Sequence, residues 1–186
     1  MAYRMVHFSE IESLRASLQF LAFSEAYLYS AVNLCSTLAA SPSESTYPRG
    51  AVVLSLSFHG IELFLKSAIL EKVPGEQFAG KAGHDLESLG KRYAKLYPGK
   101  KFTFEIPFGT EEVDLVEPDP RVVEEMKTFI AEHKKVTPPD QLNRYPRDTA
   151  GNLWNGIYAF EPNTFLLVIT KAQKDIARLK EFIFNG

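Results

Sequence analysis

Residues 51–93 decide the fold of this chain, and their sequence is AVVLSLSFHGIELFLKSAILEKVPGEQFAGKAGHDLESLGKRY. The first part is apolar on most sides, which is typical of the central helix of a bundle. A loop with three glycines follows at residues 73–83, and GHDL at residues 83–86 then begins another helix. This order predicts a helical bundle built around the first of these two helices.

Apolar residues that recur every three or four positions predict further helices on both sides of this stretch. Ser9 and Glu12 have the spacing of a capping box, which favours a helix start at Ser9. Pro48 suits the first turn of the central helix, and Gly83 or His84 is expected to cap the next one. The predicted helices cover residues 9–40, 48–72, 85–97, 121–134 and 162–184.

Strict alternation of apolar and polar residues at Lys101–Ile106 predicts a short strand. A turn at residues 107–110 would bring residues 111–117 back as its partner. The predicted fold is therefore a mainly α, up-and-down bundle of four to five helices. It forms a single domain, residues 1–186, with a small β-hairpin insertion near residues 101–117.

Length and composition describe an ordinary globular chain. It has 186 residues, a net charge of −2 and one cysteine, Cys35, which excludes an intramolecular disulfide. Four scattered histidines and a single cysteine give no zinc-ligand spacing, so we expect no metal and no cofactor. The acidic balance argues against a mainly electrostatic nucleic-acid binder, although it leaves room for a local basic patch.

Charge is spread unevenly along the chain. Residues 66–101 hold eight Lys/Arg and four Asp/Glu (8 − 4 = +4), whereas residues 102–120 hold six acids and no Lys/Arg (−6). The preferred interpretation is two solvated surfaces that compensate each other; the alternative is a partner site.

Targeting and membrane segments are not expected. The N-terminal residues MAYRMVHFSEIESL contain no apolar signal core. Glu25, Glu62 and Lys66 interrupt the most apolar stretches, so no segment is expected to span a membrane. The predicted location is cytoplasmic.

His59, Glu62 and Lys66 line one side of the central helix, at positions i, i+3 and i+7. They stand among apolar residues, and a buried charge must be paired or hydrogen-bonded. Glu25, at an apolar position of the first helix, is the expected partner for His59 or Lys66. The preferred interpretation is a polar network that fixes the register of the bundle, and the alternative is a ligand-binding or catalytic cleft.

His84 and Asp85 stand at a predicted helix start beside the glycine-containing loop. Backbone amides at a helix N-terminus can hold a phosphate. The preferred interpretation here is simple helix capping, because the loop lacks the spacing of a phosphate-binding P-loop.

Four short segments carry a resemblance to a known family: AYLYSAVNL (26–34), HGIELFLKSAIL (59–70), GHDLESL (83–89) and RYP (144–146). Their order and spacing resemble the HEPN superfamily, named for nucleotide binding in higher eukaryotes and prokaryotes. The second segment is similar to the Glu-x-x-x-Lys helix of these domains, and the third to their HDL helix start. Together the four segments, with their spacing, cover about half of the chain.

The resemblance implies an up-and-down bundle of four or five helices that often forms a dimer. Some members are metal-independent ribonucleases of toxin–antitoxin or phage-defence systems, with an R-x4-6-H motif. Others lack that motif and act as binding domains, often beside a small nucleotidyltransferase. This chain lacks it, because no arginine precedes His7, His59, His84 or His133 at that spacing.

The first functional hypothesis is a non-catalytic or divergent HEPN-like domain that binds a nucleotide, RNA or a protein partner, as a homodimer. Its candidate binding or polar-network residues are Glu25, His59, Glu62, Lys66, His84, Asp85, Arg144 and Tyr145.

Two alternatives stay open. One is a metal-independent ribonuclease with His59 or His84 as the acid or base and with Arg144 or Lys66 stabilising the charge of the phosphate. The other is a structural interaction protein that binds no ligand and uses the polar network only for stability.

Overall fold

The computed structural model describes residues 5–107, 145–147, 150–151 and 161–185. These residues are mainly helical and contain no β-strand, so the predicted mainly α bundle is confirmed. The helices are α1 (Ser9–Glu12), α2 (Ala16–Ala40), α3 (Tyr47–Lys72), α4 (Leu86–Leu96) and α5 (Pro162–Phe184). The predicted helix at 121–134 and the second predicted strand at 111–117 lie outside the described residues.

The first predicted helix is divided in two. α1 ends at Glu12, and α2 starts after Arg15, whose backbone is extended. The capping-box prediction was wrong, because Phe8 is the N-cap residue of α1 and no side chain caps that end. The side-chain amide of Gln19 donates instead to the carbonyl oxygens of Ile11 (3.2 Å) and Leu14 (3.0 Å), at the break between the two helices.

α2 and α3 form the central antiparallel pair. The apolar repeat of the sequence predicts a buried line of Ile11, Leu14, Leu18, Leu21, Glu25, Leu28, Val32, Cys35 and Ala39. The buried residues of α2 are instead Ser17, Leu21, Ser24, Leu28, Ala31, Cys35 and Leu38. Ser17, Ser24 and Ala31 thus replace the larger Leu18, Glu25 and Val32 in this line. Glu25 is not among these buried residues and lies at the edge of the interface between the helices. Small side chains at the interface allow the two backbones to approach closely.

Gly60 marks the closest approach of α3 to α2. The hydroxyl of Ser24 donates to the Gly60 carbonyl oxygen over 2.6 Å. A Cβ atom on Gly60 would lie 2.7 Å from Leu28 Cγ and 3.3 Å from the Leu28 backbone nitrogen. Glycine in a helix interior costs about 1 kcal/mol of stability relative to alanine. The close contact with α2 explains why a glycine stands here.

α5 runs antiparallel to α2. Its first turn contacts Cys35, whose Sγ donates to the Pro162 carbonyl oxygen, and its end contacts Arg15, which donates to the Phe184 carbonyl oxygen. Lys180 of α5 binds Glu25 over 2.8 Å. The expected alternation of direction therefore holds for α2 with α3 and for α2 with α5.

α4 is the exception to this alternation, because the loop after α3 returns along α3 before α4 begins. His84, just before α4, contacts Glu62, whereas Tyr97, just after it, donates to the carbonyl oxygen of Ala68 over 2.8 Å. α4 therefore runs broadly in the direction of α3. The cap of α4 is Asp85, which accepts from the backbone nitrogen of Ser88, and not Gly83 or His84 as predicted.

The predicted strand at Lys101–Ile106 is not a strand. Lys100–Phe102 is a 3-10 turn, and residues 103–106 have no regular structure. The carbonyl oxygens of Lys101 and Thr103 accept from the guanidinium of Arg178 instead of a partner strand. The alternation arises because Phe102, Phe104 and Ile106 pack against the core while the residues between them are exposed.

α3 is long and apolar enough to span a membrane by length and composition, with a mean hydropathy of 1.5 over its most apolar window. The expectation that Glu62 and Lys66 disqualify it was therefore wrong by this measure. However, 67% of that window is buried inside the protein, as in the core helix of a soluble protein. The cytoplasmic location stays a prediction.

Gly60→Ala is expected to destabilise the protein although alanine is the better helix former. The new methyl group would press on Leu28 Cγ and on the backbone of α2, and overpacking of this kind costs about 1–3 kcal/mol. Urea denaturation measures the change in the free energy of unfolding.

Gly90→Ala in α4 is the matched control. Its Cβ would meet only the end of the Ile106 side chain, which can rotate away. We expect a change below about 1 kcal/mol in either direction. Equal losses in the two variants would contradict the close approach of α2 and α3 at Gly60.

Candidate functional site

The polar strip of α3 converges on one buried carboxylate. The Glu62 side chain is 1% exposed, and its Oε1 accepts a hydrogen bond from Lys66 Nζ over 2.5 Å. The Nδ1 atom of His59 lies 3.3 Å from its Oε2. These contacts follow from the helix, because residues three and four positions apart lie on the same face. The sequence placed His59, Glu62 and Lys66 on one side of this helix, and in the structure His59 and Lys66 both contact Glu62.

His84 completes the group from a different part of the chain. Its Nδ1 atom lies 3.0 Å from Glu62 Oε1. The return of the loop along α3 places it there, and Gly83 permits the tight approach, since a Cβ at Gly83 would lie 2.7 Å from the backbone of Phe78. We call Glu62, Lys66, His59 and His84 the Glu62 cluster.

The Glu62 carboxyl group is held in its charged form. Burial alone raises the pKa of a carboxyl group, because it disfavours the charged state. Hydrogen bonds from His59 and Lys66, together with the positive charge of these side chains, outweigh that effect and lower the pKa of Glu62 from 4.5 to about 2. Glu62 is therefore an anion throughout the neutral pH range.

Two aromatic rings enclose the cluster, and the sequence analysis missed both. Phe78 lies with its ring centre 5.3 Å from Lys66 Nζ, which is the geometry of a cation–π contact. Tyr27 meets the His59 ring edge-to-face, with ring centres 4.6 Å apart. Phe78 is the one large apolar side chain between the glycines at 75 and 80, which was a usable signal for an anchored loop.

Exposure differs sharply within the Glu62 cluster. The Lys66 side chain is 6% exposed, whereas His59 is 26% and His84 is 53% exposed. The two imidazoles thus connect the buried ion pair to the surface. Lys66 is covered by Phe78 and bound to Glu62, so the structure does not offer its ammonium group to a phosphate in solution.

Four further residues were predicted for this site, and the three that the structure describes are not part of the cluster. Glu25 pairs with Lys180 and with neither His59 nor Lys66, so that prediction was wrong. Asp85 serves as the cap of α4. Arg144 lies outside the described residues. Tyr145 is described and exposed, and nothing among the described residues joins it to Glu62.

The chemistry that the cluster can support is proton transfer and anion binding. A carboxylate that holds Nδ1 of an imidazole orients the ring and presents Nε2, as in catalytic histidine–carboxylate pairs. Among the described residues no group of three or more His, Cys, Asp and Glu side chains is arranged to hold a metal ion.

A separate groove of about 420 Å³ lies beside the end of α4. Its lining includes Tyr93, Tyr97 and Lys100, and Phe102, Thr103, Phe104 and Ile106 of the segment that follows. No residue of the Glu62 cluster lines it, so the two features are distinct.

Comparisons with protein-family models, with curated proteins and with solved structures gave no match to this chain. The resemblance to the HEPN superfamily therefore stays a prediction from the sequence.

Glu62→Gln is expected to lower the free energy of unfolding by about 3 kcal/mol at neutral pH, because it leaves Lys66 buried without an anion. Urea denaturation measures this. Glu87→Gln is the matched control, since Glu87 and Lys91 form the same i, i+4 pair on the surface and such pairs contribute about 0.5 kcal/mol or less. Adding Lys66→Met to Glu62→Gln should restore part of the stability.

The difference in the free energy of unfolding between the wild type and Glu62→Gln is expected to depend on pH. The folded-state pKa of Glu62 lies below the unfolded value, so its stabilisation is fully present above pH 4.5. It is lost as the pH falls from 4.5 to about 2. The wild type should therefore lose its advantage over Glu62→Gln in that range. A constant difference between the two proteins, or equal effects of Glu62→Gln and Glu87→Gln, would contradict the buried ion pair.

Proposed function

We propose that this chain is a divergent HEPN-like helical domain that binds a nucleotide or RNA through the imidazoles of the Glu62 cluster. One observation carries the proposal: Glu62 is almost fully buried and charged, yet it holds His84, a side chain that is 53% exposed. A surface histidine that a buried carboxylate holds by Nδ1 is oriented before a ligand binds; its Nε2 accepts a hydrogen bond when the ring is neutral and donates one when the ring is protonated.

Charge supports a phosphate-bearing ligand. Three nitrogen-bearing side chains surround a single carboxylate, and Lys66 already neutralises that carboxylate. When His84 is protonated, it adds a positive charge at the exposed side of the cluster. An anion that binds at the surface would take this charge, and it would receive a charge-assisted hydrogen bond.

The oligomeric state and the setting follow from the sequence resemblance alone. They are a homodimer, with RNA or a small nucleotidyltransferase as partner, in a toxin–antitoxin or phage-defence system. The location proposed is cytoplasmic. A protein with no ligand at all is the contrary proposal, and it predicts that variants of His84 change no binding property.

His84→Ala is expected to weaken the binding of nucleotides and short RNA by about tenfold, because one charge-assisted hydrogen bond is lost. Isothermal titration of a nucleoside monophosphate and of a short RNA into the wild type and the variant measures this. His7→Ala is the matched control, since His7 is an exposed histidine outside the cluster. Unchanged binding in His84→Ala, or no binding by the wild type, would reject the proposal.

A metal-independent ribonuclease is the second candidate, and a specific observation favours it. One carboxylate holds Nδ1 of two imidazoles, over 3.3 Å for His59 and 3.0 Å for His84. Two oriented imidazoles can act as a general base and a general acid in one reaction. Lys66 is not expected to stabilise the phosphate charge, because Phe78 covers it.

This candidate predicts RNA cleavage in the presence of a chelator, with a loss of at least about a hundredfold in His59→Ala or in His84→Ala. Cleavage of varied labelled RNAs by the wild type and the variants tests it, and His7→Ala serves again as the control. Cleavage that is absent from the wild type, or equal in all four proteins, would reject the enzyme and leave the binding domain.

A further inference from the structure

We propose that one end of the bundle, away from the Glu62 cluster, binds single-stranded RNA. We define this surface, the basic end, by Lys72, Lys100, Lys101, Phe102 and Phe182. They stand at the ends of α3 and α5 and in the 3-10 turn after α4. The inference rests on the proposed function in one respect, namely that a nucleic acid is the ligand.

Contacts between cations and rings join these elements into one surface. Lys72 Nζ lies 5.4 Å from the centre of the Tyr97 ring, and that ring lies 5.3 Å from the Phe102 ring. Lys101 Nζ lies 4.8 Å from the centre of Phe102 and 5.7 Å from the centre of Phe182. Positive charges and aromatic rings therefore alternate across the basic end.

Among the described residues the lysines of the basic end have no acidic partner, and Lys95 and Lys174 also have none. Four lysines elsewhere each bind a glutamate: Lys66, Lys91, Lys171 and Lys180. Lys72, Lys100 and Lys101 are exposed and form no ion pair within the described part of the chain. No acid among the described residues pairs with their charge, although the whole chain carries a net charge of −2.

A structural explanation covers only part of this pattern. A lysine in the last turn of a helix stabilises the negative end of the helix dipole, and this accounts for Lys72. Lys100 and Lys101 lie outside the α-helices, in a three-residue turn, so the dipole does not explain them. A negatively charged ligand would explain why both lysines stand at this surface.

The turn that carries these two lysines is held firmly. Arg178 of α5 donates to the carbonyl oxygens of Lys101 (2.6 Å) and Thr103 (2.8 Å). The hydroxyl of Tyr93 in α4 donates to the carbonyl oxygen of Phe102 over 2.7 Å. A backbone fixed from two sides loses little further entropy when it binds a ligand.

The exposed aromatic ring of Phe182 indicates which kind of anion binds at the basic end. Its side chain is 47% exposed beside the Lys101 ammonium group, although burial of so large an apolar ring is favourable. Proteins that bind single strands combine a basic surface with aromatic rings on which bases stack. An acidic protein would need an apolar side chain placed beside its acids to cover the ring, whereas each nucleotide of a single strand carries both a phosphate and a base, so single-stranded RNA is the occupant that fits the alternation of charge and ring.

Fluorescence anisotropy with a labelled single-stranded RNA of about 20 nucleotides, at several salt concentrations, tests the inference. Lys72→Gln/Lys101→Gln should weaken binding at low salt by about tenfold and reduce the salt slope by about 1.4, since each phosphate contact on a single strand contributes about 0.7. Lys91→Gln/Lys171→Gln removes two charges elsewhere and should change binding less than twofold.

The ring is tested separately. Phe182→Ala should weaken binding roughly fivefold or more through the loss of base stacking. Leu167→Ala is the control, because Leu167 is another exposed apolar side chain of α5. Circular dichroism and urea denaturation test whether each variant is folded.

The outcomes separate this inference from the proposed function. Equal losses in the two double variants, or no RNA binding by the wild type, overturn the basic end as an RNA surface. Loss in His84→Ala alone keeps the Glu62 cluster as the binding site and also overturns the inference. Loss in Lys72→Gln/Lys101→Gln and Phe182→Ala, with normal binding by His84→Ala and by both controls, supports the basic end and counts against the cluster.

Discussion

The Glu62 carboxylate imposes the central constraint on this structure. It is 1% exposed and charged, and an isolated charge in the interior is strongly unfavourable. Lys66 supplies the counter-charge from the next turn of α3, and His59 and His84 supply further hydrogen bonds. The His84 contact requires the loop after α3 to turn back along that helix, and this return sets the direction of α4. One buried charge thus connects the helix pair, the loop and the surface imidazoles.

Periodicity in the sequence predicted most of the helices in the described part of the chain. α3 and α5 were placed within one or two residues, because long apolar repeats with clear ends leave few alternatives. The errors arose where side chains compete with backbone bonding. Gln19 stabilises a break that splits the first helix, and Arg178 occupies the carbonyl groups that a strand at 101–106 would have needed. Neither contact has a signal in local sequence.

The part of the candidate site that lies on a single helix was predictable from the sequence. His59, Glu62 and Lys66 share a face by spacing alone, so their meeting follows from the helical period. The partner of Glu25 was mispredicted because the buried line of α2 is turned toward small residues, and this depends on the close approach at Gly60. The approach of His84 to Glu62 depends on the path of the loop, which spacing does not determine. The resemblance to HEPN domains included the segments that contain His59 and His84, but it did not predict that both histidines contact Glu62.

The central claim is that Glu62 is an ionised hub that orients two imidazoles, and an NMR titration of its side-chain carboxyl carbon tests it most directly. Glutamate labelled with ¹³C, assigned by comparison with Glu62→Gln, gives the resonance. The account predicts no titration of Glu62 between neutral pH and about pH 3, because its pKa is lowered to about 2. It also predicts that Glu62→Gln shifts the ring-nitrogen resonances of both His59 and His84. A Glu62 that titrates at or above 4.5, or histidine rings that do not respond to the substitution, would contradict it.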